Sequence, residues 1–133
     1  MLLTHVPSEF RDSCTRADLR PRETASVRCE PATGASVVFY NQYPTAQGAT
    51  AEYEALRSLN NVQRNIGAND ECPFEGSLTI DGASHGRVFC ANSPQGELIV
   101  WSNRDLAIQT EATIAEGTSV PDFWQWWTTA GPS

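Results

Sequence analysis

The side chains that could do acid–base chemistry near neutral pH are two histidines, His5 and His85. Imidazole is the usual general base at this pH, but it must lie within hydrogen-bond reach of the group that it deprotonates. Ser84 precedes His85, and sequence neighbours on a turn seldom point at each other, so we do not expect a nucleophile–base dyad. The chain also has no phosphate-binding glycine loop, metalloprotease histidine pair or nucleophile elbow. We therefore expect no catalytic residues, with His85 as an exposed turn residue.

Aromatic and charged side chains offer a second kind of chemistry, the binding of a small molecule, glycan or peptide. The C-terminal segment holds Phe123, Trp124, Trp126 and Trp127. Their helical spacing places Trp124 and Trp127 against the sheet and leaves Trp126 for a surface role. The expected ligand-contacting residues are aromatic or charged groups on predicted turns and strand faces: Trp126, Arg87, His85, Tyr40 and Trp101. An equal alternative for the last two is a cross-strand pair that stabilises the sheet.

An acidic group, Asp70, Glu71 and Glu75, raises the question of a metal ion. The segment lacks the ligand spacing and the glycine of a calcium-binding loop. We expect a solvated acidic loop there, and neither a metal nor a cofactor in this chain.

The cellular compartment can be inferred from the four cysteines of the chain, which are Cys14, Cys29, Cys72 and Cys90. A structural zinc site normally takes its ligands from closely spaced pairs, and no such pair is present. Two disulfides fit the even count better, and disulfides persist outside the cytoplasm. The alternative is four reduced core cysteines in a cytosolic protein.

The pairing of four cysteines has three solutions. Residues 29–41 and 90–103 echo each other, because each begins with cysteine and continues through a glycine-containing turn and an apolar strand to an aromatic residue and Asn. If the two halves are related units, each strand cysteine bonds the cysteine that precedes it locally. That solution pairs Cys14 with Cys29 and Cys72 with Cys90.

The length of 133 residues and mass of 14.6 kDa suit one domain with its own core. Nine arginines and no lysine stand against sixteen acidic residues, which gives a net charge of −7. This acidity argues against nucleic acid or an anionic membrane surface as partner. No segment approaches the roughly 20 apolar residues that cross a bilayer. Since the chain lacks a signal peptide and yet is expected to be exported, we expect a piece of a longer protein, with a membrane tether outside this chain.

The pattern along the chain alternates between strands and helices. We expect short helical turns at 2–6 and 8–12, a loop at 15–22 and a hairpin from strands at 25–30 and 36–43. A helix with Thr45 as N-cap follows and ends at Asn60, after which 61–76 gives no clear element. Strands are predicted at 77–80, 87–91, 97–102 and 106–114, the last with one wet face, before a helix capped by Ser119.

These elements predict an α+β fold. We expect an antiparallel sheet of about five to six strands with helices packed on one face, two pseudo-repeated β-β-α units and two disulfides. Residues 1–130 form the single domain and 131–133 a frayed tail.

Seven short segments also resemble a known module: LLTHVPSEFRDSC at 2–14, CEP at 29–31, VVFYNQY at 37–43, AEYEAL at 51–56, GRVFC at 86–90, LIVWS at 98–102 and FWQWW at 123–127. They are similar to the small extracytoplasmic domain found C-terminal to a transmembrane helix in actinobacterial membrane-anchored serine/threonine protein kinases, and in related lipoproteins and exported proteins. The resemblance implies a cell-surface sensor or interaction domain with two disulfides, tethered to a kinase domain across the membrane. The kinase motifs themselves are absent from these 133 residues. No ligand-binding residues carry over, since no shared binding motif is available to match.

Three functions follow as hypotheses. A sensor domain would bind an extracellular small molecule, glycan or peptide in an apolar pocket and bias the kinase, with a homodimer as a further option. A protein-interaction module of an exported lipoprotein or secreted protein would instead expose an apolar patch. A small secreted hydrolase would need a cleft with clustered titratable groups, for which the sequence offers least.

Overall fold

The computed structural model describes Leu2, Val6 and residues 11–31, 34–67, 71–80, 83–94 and 96–130. The described backbone forms a seven-stranded antiparallel sheet and two α-helices. In chain order these are β1 (Thr15–Arg16), β2 (Ala25–Cys29), β3 (Ala35–Gln42), α1 (Ala46–Leu59), β4 (Phe74–Ile80), β5 (Ala83–Ser93), β6 (Gly96–Asn103), β7 (Ile108–Ile114) and α2 (Val120–Ala130). His5, Asp70, most of the predicted N-terminal helical turns and the predicted tail lie outside the described residues.

The strand order across the sheet is β1-β2-β3-β7-β6-β5-β4, so the chain builds the sheet from both edges towards the middle. After the predicted β2–β3 hairpin, α1 carries the chain to β4 at the opposite edge. The four-strand meander from β4 then returns until β7 pairs with β3. The sheet has more strands than predicted because the loop predicted at 15–22 contains β1, whose two residues are too few to give a periodic signal.

Local signals at the helix ends were read correctly from the sequence. The Thr45 hydroxyl accepts a hydrogen bond of 3.2 Å from the Gly48 N–H and caps α1, which ends at Asn60. The Ser119 hydroxyl accepts the corresponding bond of 3.2 Å from the Asp122 N–H at the start of α2. Each bond satisfies a helix N–H that has no partner within the helix.

The two helices pack on opposite faces of the sheet, so the prediction that helices cover one face is wrong. Phe74 contacts Trp124 of α2 with ring centroids 5.9 Å apart, whereas Phe89 contacts Tyr53 of α1 at 5.4 Å. Phe89 is the cross-strand partner of Glu75, and successive strand residues point to opposite faces. Phe74 and Phe89 therefore lie on different faces, which we call the α2 face and the α1 face.

Both faces need cover because the central strands carry apolar residues on both sides. In β5, Val88 and Cys90 belong to the core on the α2 face, whereas Phe89 and Ala91 belong to a smaller core on the α1 face. The wet sheet face expected from the alternation in 106–114 is thus partly covered by α1. With one helix on each face, the pseudo-repeated β-β-α units are not confirmed.

Both disulfides join the predicted partners on the α2 face. Cys14 bonds Cys29 and Cys72 bonds Cys90, across sequence separations of 15 and 18 residues. Cys29 and Cys90 are fully buried in the larger core. The first bond fastens the segment before β1 to β2, and the second fastens the segment before β4 to β5.

Candidate functional site

A concavity lies along β4, the strand at one edge of the sheet. Its volume is about 550 Å³. We call it the β4 cleft and define it by six of its lining residues: Ile66, Phe74, Gly76, Leu78, Val88 and Trp124. The sheet edge, the segment before β4 and the helix α2 therefore each contribute a wall.

Gly76 leaves a hollow in the α2-face side of this cleft. Among the described residues, none would lie within 4 Å of a Cβ atom built on Gly76. Phe74 and Leu78 point to the same face on either side of it, and Val88 is its cross-strand neighbour. Trp124 lies against Phe74. The hollow is apolar and has room for a side chain supplied from outside.

A fixed pair of charges lies on the other face of the same strand. The carboxylate of Glu75, whose side chain is fully buried, accepts hydrogen bonds from Arg87 Nε at 3.0 Å and Nη2 at 2.6 Å. It also accepts bonds from the Tyr53 hydroxyl at 2.7 Å and the Asn65 backbone N–H at 2.9 Å. Arg87 further donates to the Asn65 side chain at 2.7 Å and to Ser77 Oγ at 3.3 Å. This network ties α1, the segment before β4, β4 and β5 together.

The ionisation of Glu75 reflects that network. Burial alone would raise the pKa of Glu75, but the hydrogen bonds from Arg87, Asn65 and Tyr53 hold the pKa below its usual value. The pKa of Arg87 is raised, chiefly by its hydrogen bonds to Glu75. Burial and the bond to Glu75 also raise the pKa of Tyr53. The pair is thus a carboxylate and a guanidinium at neutral pH, with no net charge at the cleft.

The outer side of the β4 backbone is covered at Glu75 and open beyond it among the described residues. The Glu75 N–H points away from β5, since it donates a bond of 2.9 Å to the Ile66 carbonyl. Alternate residues of an antiparallel strand direct their N–H and C=O to the same side, so those of Ser77 also point outwards. Among the described residues, none forms a hydrogen bond with these two groups of Ser77.

Of the residues singled out in the sequence for ligand contact, Arg87 alone lies next to this cleft. Tyr40 and Trp101 are fully buried on the α2 face, so neither can touch a ligand in this conformation. They are also not cross-strand partners, because Thr110 of β7 lies between them and pairs with both. Their bulk serves the core, where a large buried side chain contributes about 1.5–3 kcal/mol.

Trp126 and His85 also differ from expectation. Trp126 is half-buried against Phe123, with ring centroids 5.3 Å apart, and it is not left free for a surface role. Among the described side chains of α2, Phe123 is fully buried and Trp124 is partly buried against the core. His85 lies within β5 rather than on a turn, at an irregularity in the pairing with β4, and its Nδ1 is 2.5 Å from Asp105 Oδ2. The structure therefore does not gather the five residues into one site.

A second polar cluster, centred on Arg20, was missed by the sequence reasoning. Arg20 forms ion pairs with Glu23 and Glu52, both at 3.3 Å, and with Glu111 of β7. Asn41 joins it by donating to Glu111 at 3.0 Å. Burial would lower the pKa of Arg20, but the three carboxylates, above all Glu111, raise it. The cluster fastens the segment before β2 to α1 and the sheet, and we interpret it as structural.

The described residues contain a group of potential metal ligands, Cys72, Cys90 and Glu97, whose ligand atoms lie within 4.8 Å of one another. The two sulfurs are bonded to each other and are not thiolates, the form that binds metals. This group is therefore a disulfide beside a carboxylate, not a metal centre.

The cleft itself had weak signals in the sequence. Gly76 interrupts a strand, and a strand glycine often marks a place where another group comes close. The sequence predicts that Glu75 lies in a solvated acidic loop, since residues 61–76 show no clear periodicity. Its role depends on contacts with residues 22 and 12 positions away, Tyr53 and Arg87, which no local pattern reveals.

Two further findings concern membrane spans and similarity to known proteins. In the described part of the structure, neither helix is long and apolar enough to span a membrane. Searches of protein-family models, of curated proteins and of solved structures found no match to this chain.

Proposed function

We propose that this chain is a non-catalytic, extracytoplasmic ligand-binding domain and that the β4 cleft is its binding site. The observation that carries the proposal is the combination of an open apolar hollow over Gly76 with the fixed Glu75–Arg87 pair along the same strand. Ligand sites are typically concave and largely apolar, with a few polar groups held in place by their own partners.

The chemistry of the cleft favours binding over catalysis. A general base needs a lone pair available to the substrate, whereas the Glu75 carboxylate already accepts four hydrogen bonds. Arg87 keeps about a third of its side chain exposed and can still meet a polar group of a ligand. These features support orientation of a ligand rather than its conversion.

The compartment is supported by the two disulfides, which are compatible with an oxidising environment. The resemblance to the extracytoplasmic domains of membrane-anchored serine/threonine kinases extends the proposal. In that setting, ligand binding outside the cell would bias the orientation or association of the kinase across the membrane. The coding sequence of the parent protein tests this part directly, because the proposal requires a kinase domain and a transmembrane helix before residue 1.

Binding is tested by nuclear magnetic resonance on the oxidised domain labelled with nitrogen-15. The probes are muramyl dipeptide, chitotriose and pooled heptapeptides, each added at millimolar concentration. We expect at least one probe to shift the amide signals of residues 74–79 and the indole signal of Trp124. Gly76→Val should abolish the shifts, because the new side chain fills the hollow, where no described residue lies within 4 Å of a Cβ atom on Gly76.

The matched control is Ser36→Val, which adds a similar side chain at an exposed position of β3, remote from β4 in the sheet. It should leave the shifts unchanged. If no probe shifts the β4 signals, or if Gly76→Val leaves the shifts intact, the β4 cleft is not the binding site and the proposal is wrong.

A further inference from the structure

The edge strand β4 differs from the usual exposed edge of a sheet. Natural edges are commonly protected by exposed charges, by proline or by being very short. The opposite edge follows this rule, since β1 has two residues and ends in the exposed Arg16. β4 has seven residues, no proline, and Glu75 as its single charged residue, which is buried against Arg87. Its one irregularity in pairing with β5 lies beyond Ser77, between Leu78 and Thr79.

The open part of this edge begins after Glu75. The Glu75 N–H is occupied by the Ile66 carbonyl, so the segment before β4 covers the first part of the strand. Beyond it, the outward N–H and C=O of Ser77 form no hydrogen bond with any described residue. These are the groups through which a sheet accepts another strand.

The side chains around Ser77 alternate in the way that an added strand requires. On the α2 face lies the hollow over Gly76, flanked by Phe74 and Leu78. On the α1 face lie the Ser77 hydroxyl and the partly exposed guanidinium of Arg87. A strand paired to β4 would direct successive side chains to these two surfaces in turn.

We infer that the β4 cleft takes its ligand as an added β-strand: an extended, uncharged or basic peptide segment of another protein, with one apolar side chain in the hollow over Gly76. This inference rests on the proposed function and specifies the class of ligand. Pairing with the open backbone groups supplies affinity that does not depend on sequence, and the hollow supplies selectivity for an apolar side chain.

Charge argues for a different protein rather than a second copy of this chain. The charges of Glu75 and Arg87 cancel at the cleft, but each copy carries a net charge of −7. Like charge opposes the approach of two copies, whereas an uncharged or basic segment meets no such barrier.

The test begins with a random heptapeptide phage library selected on the oxidised domain. The strongest peptide is synthesised with a fluorophore and measured by fluorescence anisotropy. We expect an alternating sequence with a central apolar residue. Gly76→Val and Ser77→Pro should each weaken binding at least tenfold, while Ser36→Val changes it less than twofold. Ser77→Pro removes the outward N–H, a change that edge strands tolerate, and also the hydroxyl that accepts a hydrogen bond of 3.3 Å from Arg87.

Hydrogen exchange on the unmodified domain also tests whether the peptide pairs with β4, and it does not depend on the folding of any variant. The bound peptide should slow exchange of the Ser77 amide at least tenfold. Unchanged exchange there, or full affinity of the Ser77→Pro variant, would show that the ligand does not pair as a strand.

The remaining outcomes separate this inference from the proposed function. If muramyl dipeptide or chitotriose binds in a Gly76-dependent manner while no peptide is selected, the strand inference fails and the binding site stands. If none of the probes binds at β4, both fail. A concentration-dependent dimer in sedimentation that Gly76→Val abolishes would replace the peptide by a second copy and overturn the inference.

Discussion

Glu75 shows how a single carboxylate can be buried in this domain without losing its charge. Four hydrogen bonds, two of them from a guanidinium, replace the water that burial removes. Because the folded-state pKa lies below the usual value, the network contributes stability that is fully present above the unfolded-state pKa of about 4.3. That contribution is lost as the pH falls towards the lower, folded-state pKa.

We therefore expect the free energy of unfolding in urea to fall between pH 5 and pH 3, and Glu75→Gln to reduce the part of this fall that Glu75 causes. At pH 7 the variant should be less stable by about 1–3 kcal/mol, because Arg87 and Tyr53 lose a charged partner. Glu116→Gln, at an exposed position, is the matched control and should behave like the parent chain. Identical pH profiles for the parent and Glu75→Gln would contradict this account of the network.

Residue-level reasoning from the sequence reached only half of this pair. Arg87 is among the candidates because it is a charged group on a predicted strand face, whereas the sequence predicts a solvated acidic loop for its partner, Glu75. Tyr40 and Trp101 were selected as aromatic residues on strand faces, and both are fully buried. A strand pattern shows which residues share a face, yet it does not show whether another element covers that face.

At the scale of elements, α2 is placed by aromatic contacts as much as by its capping residue. Trp126 lies directly over Gly34, whose φ of +82° is a conformation that favours glycine. The absent side chain of Gly34 therefore lets α2 approach the start of β3.

We expect Gly34→Ala to lower the free energy of unfolding by about 1–3 kcal/mol, because the new methyl group adds backbone strain and overlaps the Trp126 ring. Tryptophan emission should shift to longer wavelength as the indole moves. Gly76→Ala adds the same methyl group in open space and should be neutral or stabilising by up to about 1 kcal/mol. Equal effects of the two substitutions in urea unfolding would show that Trp126 does not depend on Gly34.

Elements with a local signature were predictable. The N-caps of both helices and the β2–β3 hairpin follow from short patterns, and the structure confirms them. The strand β7 is also confirmed, but its predicted wet face is not, because Gln109 is fully buried. The start of β4 at Phe74 was not predictable, because that part of the strand depends on pairing with β5. The predicted buried side of α2 is confirmed for Val120, which is buried, and for Trp124, which packs against Phe74, but it omits Phe123, which is fully buried.

At the scale of the whole molecule, the cysteine pairing was the strongest long-range prediction and the covering of the sheet the weakest. Local succession selected one of three pairings, and the structure has that pairing. The same reasoning placed both helices on one face. The alternation in 106–114 predicts one wet sheet face, whereas adjacent apolar residues of β5, such as Phe89 beside Cys90, belong to two cores on opposite faces.

The two disulfides should contribute equally to the free energy of unfolding of the domain but unequally to peptide binding. Each closes a loop of similar length, so replacing either pair with serine should lower the free energy of unfolding by about 3 kcal/mol in the chain-entropy model. Cys72 lies two residues before the start of β4, however, and Cys90 is the cross-strand partner of Phe74 in the cleft wall. The double variant Cys72→Ser/Cys90→Ser should therefore also weaken binding of the selected peptide at least threefold under conditions where both variants are folded.

The double variant Cys14→Ser/Cys29→Ser is the control for that comparison, because its bond lies at the far edge of the sheet, beside β1 and β2. It should lose stability and keep its affinity. A non-reducing peptide map of the parent chain, made in an oxidising compartment, comes first, since the comparison requires both bonds to form as described. Four free thiols in that map would remove the argument for an extracytoplasmic domain, whereas equal loss of affinity in the two variants would show that the second disulfide does not hold the wall of the β4 cleft.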